Sequence, residues 1–364
     1  MYSFEPTEEQ TMLIDAVKRY ATNELRVAAH DADEERELPV DLIEKGWELG
    51  VLQASIPEEY GGFGEHSAVT GVLAAEEMGY GDLAGALAVM TPGAYALPIL
   101  IGGTEDQKNT LLMPVIEAEW KPYVAAVVEP SFNFHPGEMA TEATQEKDGY
   151  VINGEKIMVP FADNAESFLV FANLEGTTQA FVVPSDAEGF EVGEREEFLG
   201  IQALPTFKLT MKDVKVTENA RIGGDDGGDI ELIIASWNVS IAALAVGVAR
   251  AAYEYSKDYA KEREAFGGPI AQKQSIAFML AEMAIEIESI RLLVWEAAWK
   301  LDEGKEDAPK AAYLALIGAS DMAMMVTDRA VQILGGYGYI REYPTELWMR
   351  NGRGIPTFPG LAMV

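Results

Sequence analysis

From Thr7 to about Leu112 the apolar positions recur at helical spacing. TEEQ (7–10) reads as a capping box with Thr7 as N-cap, and Met12, Val17 and Tyr20 then recur near helical spacing. Near Tyr123 the texture changes to short apolar runs, YVAAVV, YVING, SFLVFA, AFVVP and FKLTMKDVKV, separated by Gly, Pro, Asp and Asn, which predicts strands. Helical spacing returns from about Asp229: Ile276, Met279, Met283, Ile287, Ile290, Val294 and Ala297 step by three or four. The pattern divides the chain into an α-helical unit over 1–120, a β unit over 121–228 and a helical bundle over 229–364. Ile241 to Ala249 is apolar almost all round, so its helix is expected inside the bundle or against another subunit. Residues 83–104 carry no charge, but Gly85, Pro92, Gly93 and Pro98 interrupt them, so a buried helix pair is expected there and not a membrane span.

Composition narrows the function. The 364 residues, 48% hydrophobic and 24% charged, suit a large folded protein with a sizeable core. Sixty acidic against 27 basic residues give a formal charge of −33, which repels nucleic acid and anionic lipid and argues against both as partners. That acidity fits a high-salt cytoplasm and equally an ordinary acidic surface. The absence of cysteine removes disulfides, thiolate metal sites and cysteine nucleophiles. His30, His66 and His135 are too scattered to suggest a ligand pair, so no metal is expected. The opening MYSFEPTEEQ has no basic run leading into an apolar one, so no signal peptide is expected and the expected location is cytoplasmic. GGDDGGD (223–229) reads as an acidic loop. GGYGY (335–339) follows a helix, where a dinucleotide fingerprint would follow a strand.

An α unit, a β unit and an α bundle, with YAKEREAFGGPIAQKQSIAFMLAEMA and AVQILGGYGYIREYP in the third, closely resemble the acyl-CoA dehydrogenase family of flavoproteins. LGVLQASIPEEYGG (49–62), EEMGYGD (76–82), Glu129-Pro130 and GYVINGEKI (149–157) extend the likeness over nearly the whole chain. The resemblance implies an N-terminal α domain, a central β-barrel or sandwich domain and a C-terminal four-helix bundle that forms the oligomer core. It also implies FAD, shared across a subunit boundary, and α,β-oxidation of an acyl-CoA thioester. There a Glu takes the α proton and the β hydride passes to the flavin.

Carried onto this chain, the family's elements fall into two groups. Those that cap a neighbour's FAD are present: Arg263 for phosphate oxygens, Phe266 as an apolar face, Gln274 as an amide, and Gln332 with Gly335 and Gly336 for close backbone approach. Those that seat the chain's own flavin are altered. The family's E-P-G-A-G-S-D is here Glu129-Pro130-Ser131-Phe132-Asn133-Phe134-His135, and its W-x-T is Met158-Val159-Pro160, where proline removes both a hydroxyl and an N–H. Phe132, Phe134, Met158 and Pro160 are expected to line or fill that slot. The position of the family's catalytic Glu is Pro359. The alternative site of the base in some members is Trp237, beside Asn238, so no catalytic residue is assigned.

Three readings follow from the resemblance. The chain is a non-catalytic subunit that caps the FAD of a second acyl-CoA dehydrogenase-family subunit, an active atypical enzyme using another base, or a flavin-free acyl-CoA-binding scaffold. A self-paired dimer or tetramer and an electron-transfer flavoprotein are further expected partners. Drift in a dead enzyme would erode both halves of a shared site alike, so the retention of only the outward half favours the first reading.

Overall fold

The computed structural model describes residues 6–364; the reading of the opening residues as lacking a signal falls partly on Met1–Glu5, outside them. The capping box forms as read, with the Gln10 amide donating to Thr7 Oγ1 (3.2 Å) and the Thr7 amide to Gln10 Oε1 (2.9 Å). It starts helix α1 (Glu8–Tyr20), which passes through a π-helical turn (Ala21–Leu25) into α2 (Arg26–Glu35). Helices α3 (Val40–Trp47), α4 (Val51–Ala54), α5 (Ala68–Gly81), α6 (Leu83–Gly102) and α7 (Glu105–Leu111) complete the first unit. Asp82, between α5 and α6, caps α6 by accepting from the Gly85 amide at 2.8 Å.

Here one expectation is corrected: the segment 83–104 is a single continuous helix and not a pair, with Pro92 and Pro98 inside it. The cause is burial. Leu83 to Val89 and Thr91 to Ile99 are all buried, and a chain reversal there would strand more backbone groups than the two donors the prolines remove.

Seven strands follow: β1 (Tyr123–Ala126), β2 (Glu142–Glu146), β3 (Gly149–Pro160), β4 (Ser167–Leu174), β5 (Thr177–Pro184), β6 (Phe190–Arg195) and β7 (Thr206–Val216). They make one sheet in the order β1-β4-β2-β3-β7-β6, with β5 also paired to β4. The sheet curls around its own apolar core, in which Ile152, Phe168, Phe181 and Leu209 are fully buried. The long antiparallel pair β3–β7 carries two irregularities, the second between Lys156 and Val159. A bulge re-aims side chains, and this one lies on the wall of the cleft described below.

The last unit is the four-helix bundle: α8 (Ile230–Glu262), α9 (Gln274–Asp302), α10 (Ala308–Leu334) and the shorter α11 (Thr345–Gly354). Ile241–Ala249 is buried within this chain. Helix α5 crosses α8 at two glycines: a Cβ on Gly247 would come within 2.2 Å of the Glu76 carbonyl oxygen, and one on Gly79 within 2.5 Å of that of Leu244. The seam also carries ions, Arg250 to Glu76 at 2.6 Å and Arg291 to Glu76 at 3.0 Å. Helices α6 and α8 are long and apolar enough to cross a bilayer, yet both are mostly buried inside the chain.

Candidate functional site

A cleft of about 670 Å³ lies between the sheet and the bundle. The 129–136 loop and the β3 bulge supply one wall, α8 and α10 the other, and residues 353–359 one end. Phe132, which is wholly exposed, Phe134 and Met158 lie on its lining, whereas Pro160 does not: it sits in the β3 ladder opposite Thr206. Met158 is held at φ +58°, a left-handed conformation that costs a non-glycine residue energy, while its amide donates to Glu196 Oε2 at 2.7 Å. Pro359 lines the cleft beside Phe358. Trp237 does not: it is fully buried against Phe171, ring centroids 4.8 Å apart, and its successor Asn238 reaches the cleft instead. The helical turn points position 237 into the core, so a side chain there cannot serve this cleft.

Among the described residues, Glu129 is the one carboxylate on the cleft wall. It is buried, and its oxygens are committed: Oε1 to Lys156 Nζ at 2.9 Å and the Thr141 amide at 2.8 Å, Oε2 to the Ala140 amide at 2.6 Å. Burial acts to raise its pKa, but Lys156 and the amides outweigh that and hold it below its ordinary value. Lys156, itself fully buried, also donates to the Val127 carbonyl at 3.1 Å, and burial brings its pKa down to about 8. Sequence reading noted both residues but missed their pairing. They lie 27 positions apart, and only the strand topology brings them together.

The residues expected to cap a neighbour's FAD all face solvent. Arg263 follows α8, Phe266 tops the α8–α9 loop at φ +55° and is almost wholly exposed, and Gln274 opens α9. Gln332 lies in the last turn of α10, with Gly335 and Gly336 just beyond. Arg263 and Gly336 share an open pocket of about 380 Å³ with Tyr259 and Tyr337; Phe266, Gln274 and Gln332 do not line it. The guanidinium rests 5.6 Å from the Tyr337 ring centroid, and among the described residues it meets no carboxylate within 4.0 Å. Gly335 needs its φ of +63°, but nothing lies within 4 Å of a Cβ on it or on Gly336. The chain's own packing therefore does not account for a glycine at 336.

Comparison with known proteins agrees with this architecture. The family models for acyl-CoA dehydrogenase N-terminal, middle and C-terminal domains match residues 7–119, 125–214 and 237–361. The chain is similar to a probable acyl-CoA dehydrogenase, YngJ, of Bacillus subtilis, with 35% identity covering 96% of this chain and 94% of that protein. It is also similar to the short-chain specific acyl-CoA dehydrogenase of Clostridium acetobutylicum, at 33% identity over 99% and 97%. Among solved structures, butyryl-CoA dehydrogenase from Megasphaera elsdenii superposes with a TM-score of 0.88 at 33% identity, covering 100% of this chain and 96% of that one. With three domain models in order and relatives above 30% identity over almost its full length, the chain belongs to the acyl-CoA dehydrogenase family.

Proposed function

We propose that this chain is the non-catalytic subunit of a hetero-oligomeric, FAD-dependent acyl-CoA dehydrogenase, in which it caps the FAD of a partner subunit of the same family. The observation that carries this reading is the state of the central cleft: the one carboxylate on it among the described residues is bonded to Lys156 and two amides, and proline stands at the position of the family's base. A base must reach the proton it removes, and Glu129 is buried with three of its roughly four acceptor sites already taken and its charge held by Lys156. Bound FAD supplies the hydride acceptor for α,β-desaturation of an acyl-CoA thioester, and an electron-transfer flavoprotein is the expected next acceptor.

The residues fit that cofactor in one place and not in another. The chain's own seat does not fit it in the family manner, because Phe132 and Phe134 occupy small-residue positions and Met158 lies on the cleft lining. The outward set fits: Arg263 is free for phosphate oxygens, and the backbone at Gly335 and Gly336 can be approached closely. Exposed apolar side chains on α9 and α10, among them Phe278, Ile285, Leu292, Tyr313 and Leu314, offer a face for a second subunit.

The test is to co-express this chain with its candidate partner and measure flavin absorbance per complex. Arg263→Ala is expected to weaken flavin retention by roughly 1.5–3 kcal/mol, one to two decades in affinity, with no loss of assembly. Full flavin content in the mutant complex, or a flavin stacked at Met158 in this chain alone, would refute the capping role.

A further inference from the structure

A second space, of about 510 Å³, opens where α1 and α5 of the first unit meet α8 and α9 of the bundle, and it shares no lining residue with the central cleft or the Arg263 pocket. Ile14, Leu73, Ala284 and Ile287 give it apolar lining. Its charged groups are three cations, Lys18, Arg250 and Arg291, and four carboxylates, Glu76, Glu77, Glu254 and Glu288, an excess of one negative charge.

Most of these charges answer one another. Glu76 takes both guanidiniums, Arg250 at 2.6 Å and Arg291 at 3.0 Å; Glu77 takes Arg250 at 2.5 Å, and Glu288 pairs with Arg291. Glu254 stands apart. Its Oε2 accepts from the Tyr80 hydroxyl at 2.9 Å, but among the described residues its Oε1 has no hydrogen-bond partner and no cation comes within 4.0 Å of it. Tyr80 is clamped in turn: the guanidiniums of Arg26 and Arg250 lie 3.9 and 4.4 Å from its ring centroid, and Arg26 also donates to its carbonyl at 2.5 Å. The clamp fixes the hydroxyl, and the hydroxyl fixes the half-buried carboxylate. Trp295 lines the same space, and among the described residues no cation lies over its ring, whereas Lys257 lies 5.2 Å from that of Tyr253.

A carboxylate held in place with one oxygen open, an uncovered indole face and apolar lining together suit a cation with an apolar body. Its N–H groups would make charge-assisted bonds to Glu254, its charge would rest on the indole, and its body would cover the aliphatic side chains. An anion would find only the exposed Lys18 and would face four carboxylates. We propose that this space is a binding site for an organic ammonium ion, with Glu254 and Trp295 recognising the charged head. Because its walls come from both helical units, the occupant ties the N-terminal helices to the bundle. The site is independent of the capping role and needs no flavin.

Three probes with one apolar body and different heads test it: phenethylammonium, phenethyl alcohol and phenylacetate, titrated calorimetrically into the full chain at high salt, where exposed acidic groups are screened. The ammonium is expected to bind roughly tenfold tighter than the alcohol, and the carboxylate more weakly than either. Glu254→Gln keeps an acceptor for the Tyr80 hydroxyl and removes the charge, so the ammonium should fall to the affinity of the alcohol while the alcohol itself is unchanged. No measurable ammonium binding, equal affinity for ammonium and alcohol, tightest binding of the carboxylate, or a preference that survives Glu254→Gln would each overturn the proposal. If that variant does not fold, Ala284→Phe replaces it: Ala284 is half-buried on α9, and a ring there fills the space. Ammonium binding should then be lost, and binding equal to wild type overturns the proposal.

Discussion

Deep in the cleft wall the charged groups are answered from within the chain: Glu129 by Lys156, and Arg350 by Asp33 and Glu346, each at 2.7 Å. On the rim around Arg263 the guanidinium meets only an aromatic face, and the neighbouring Phe266 stands in solvent. In the family's terms the first region would handle substrate and the second a neighbour's cofactor. Here the first has closed its polar groups on itself and the second has left them open. A buried charge without its partner is costly, whereas an exposed one costs little. Self-satisfaction therefore marks groups that serve this fold, and the open set marks groups free to serve something outside it.

The comparison is broken most easily at Lys156. Lys156→Met leaves Glu129 buried with its amide donors but without its counter-charge, and is expected to destabilise the isolated chain by about 3–5 kcal/mol in denaturant unfolding. Combining it with Glu129→Gln should recover much of that loss, because the uncompensated charge is then gone. A Lys156→Met chain of undiminished stability would show that Glu129 is not committed to the fold, and would reopen it as a base for the cleft.

A smaller effect separates the two members of the pair by pH. Unfolded, Glu129 takes up a proton near its ordinary value of 4.5; folded, it stays ionised to lower pH. Its contribution to stability is therefore whole above that value and drains away as pH falls through the lower folded one. Lys156 acts in the same sense at the other end of the scale. The folded chain releases its proton near 8 and the unfolded chain only near 10.5, so between those values the unfolded state holds more protons and stability rises with pH. The wild-type stability minus that of the Glu129→Gln/Lys156→Met chain should thus fall on the acid side and climb on the alkaline side. A flat difference would mean that the pair carries no buried charge.

How much of this was legible beforehand depended on the range of the interaction. The Thr7 capping box spans four residues and could be read directly, whereas the place of Pro359 on the cleft came only with the family resemblance. Helix α6 was misread as a pair because local proline rules were applied to a segment whose conformation is set by burial on every side. Trp237 could be counted onto α8 but not oriented on it: its neighbour Asn238, about a hundred degrees further round the helix, is the one that faces the cleft. The Glu129–Lys156 pair and the burial of Leu361–Val364 depend on which strands and helices meet, and no local pattern encodes that.

The smallest expected effect is at Gly336, and it tests the open side of the comparison. A Cβ there meets nothing within 4 Å, and its backbone is not in the left-handed region, so the chain itself has no need of glycine at this position. Replacing a glycine by alanine where the conformation allows it restricts the unfolded chain and commonly stabilises by about 0.4–1 kcal/mol. Gly336→Ala is therefore expected to leave the melting temperature of the isolated chain unchanged or slightly raised. In the assembled complex the same methyl group would stand where a neighbour's cofactor makes its close approach, and flavin content should fall. A loss of stability in the isolated chain would show that Gly336 serves the fold after all; unchanged flavin in the complex would remove it from the capping set and leave Arg263 to carry that role.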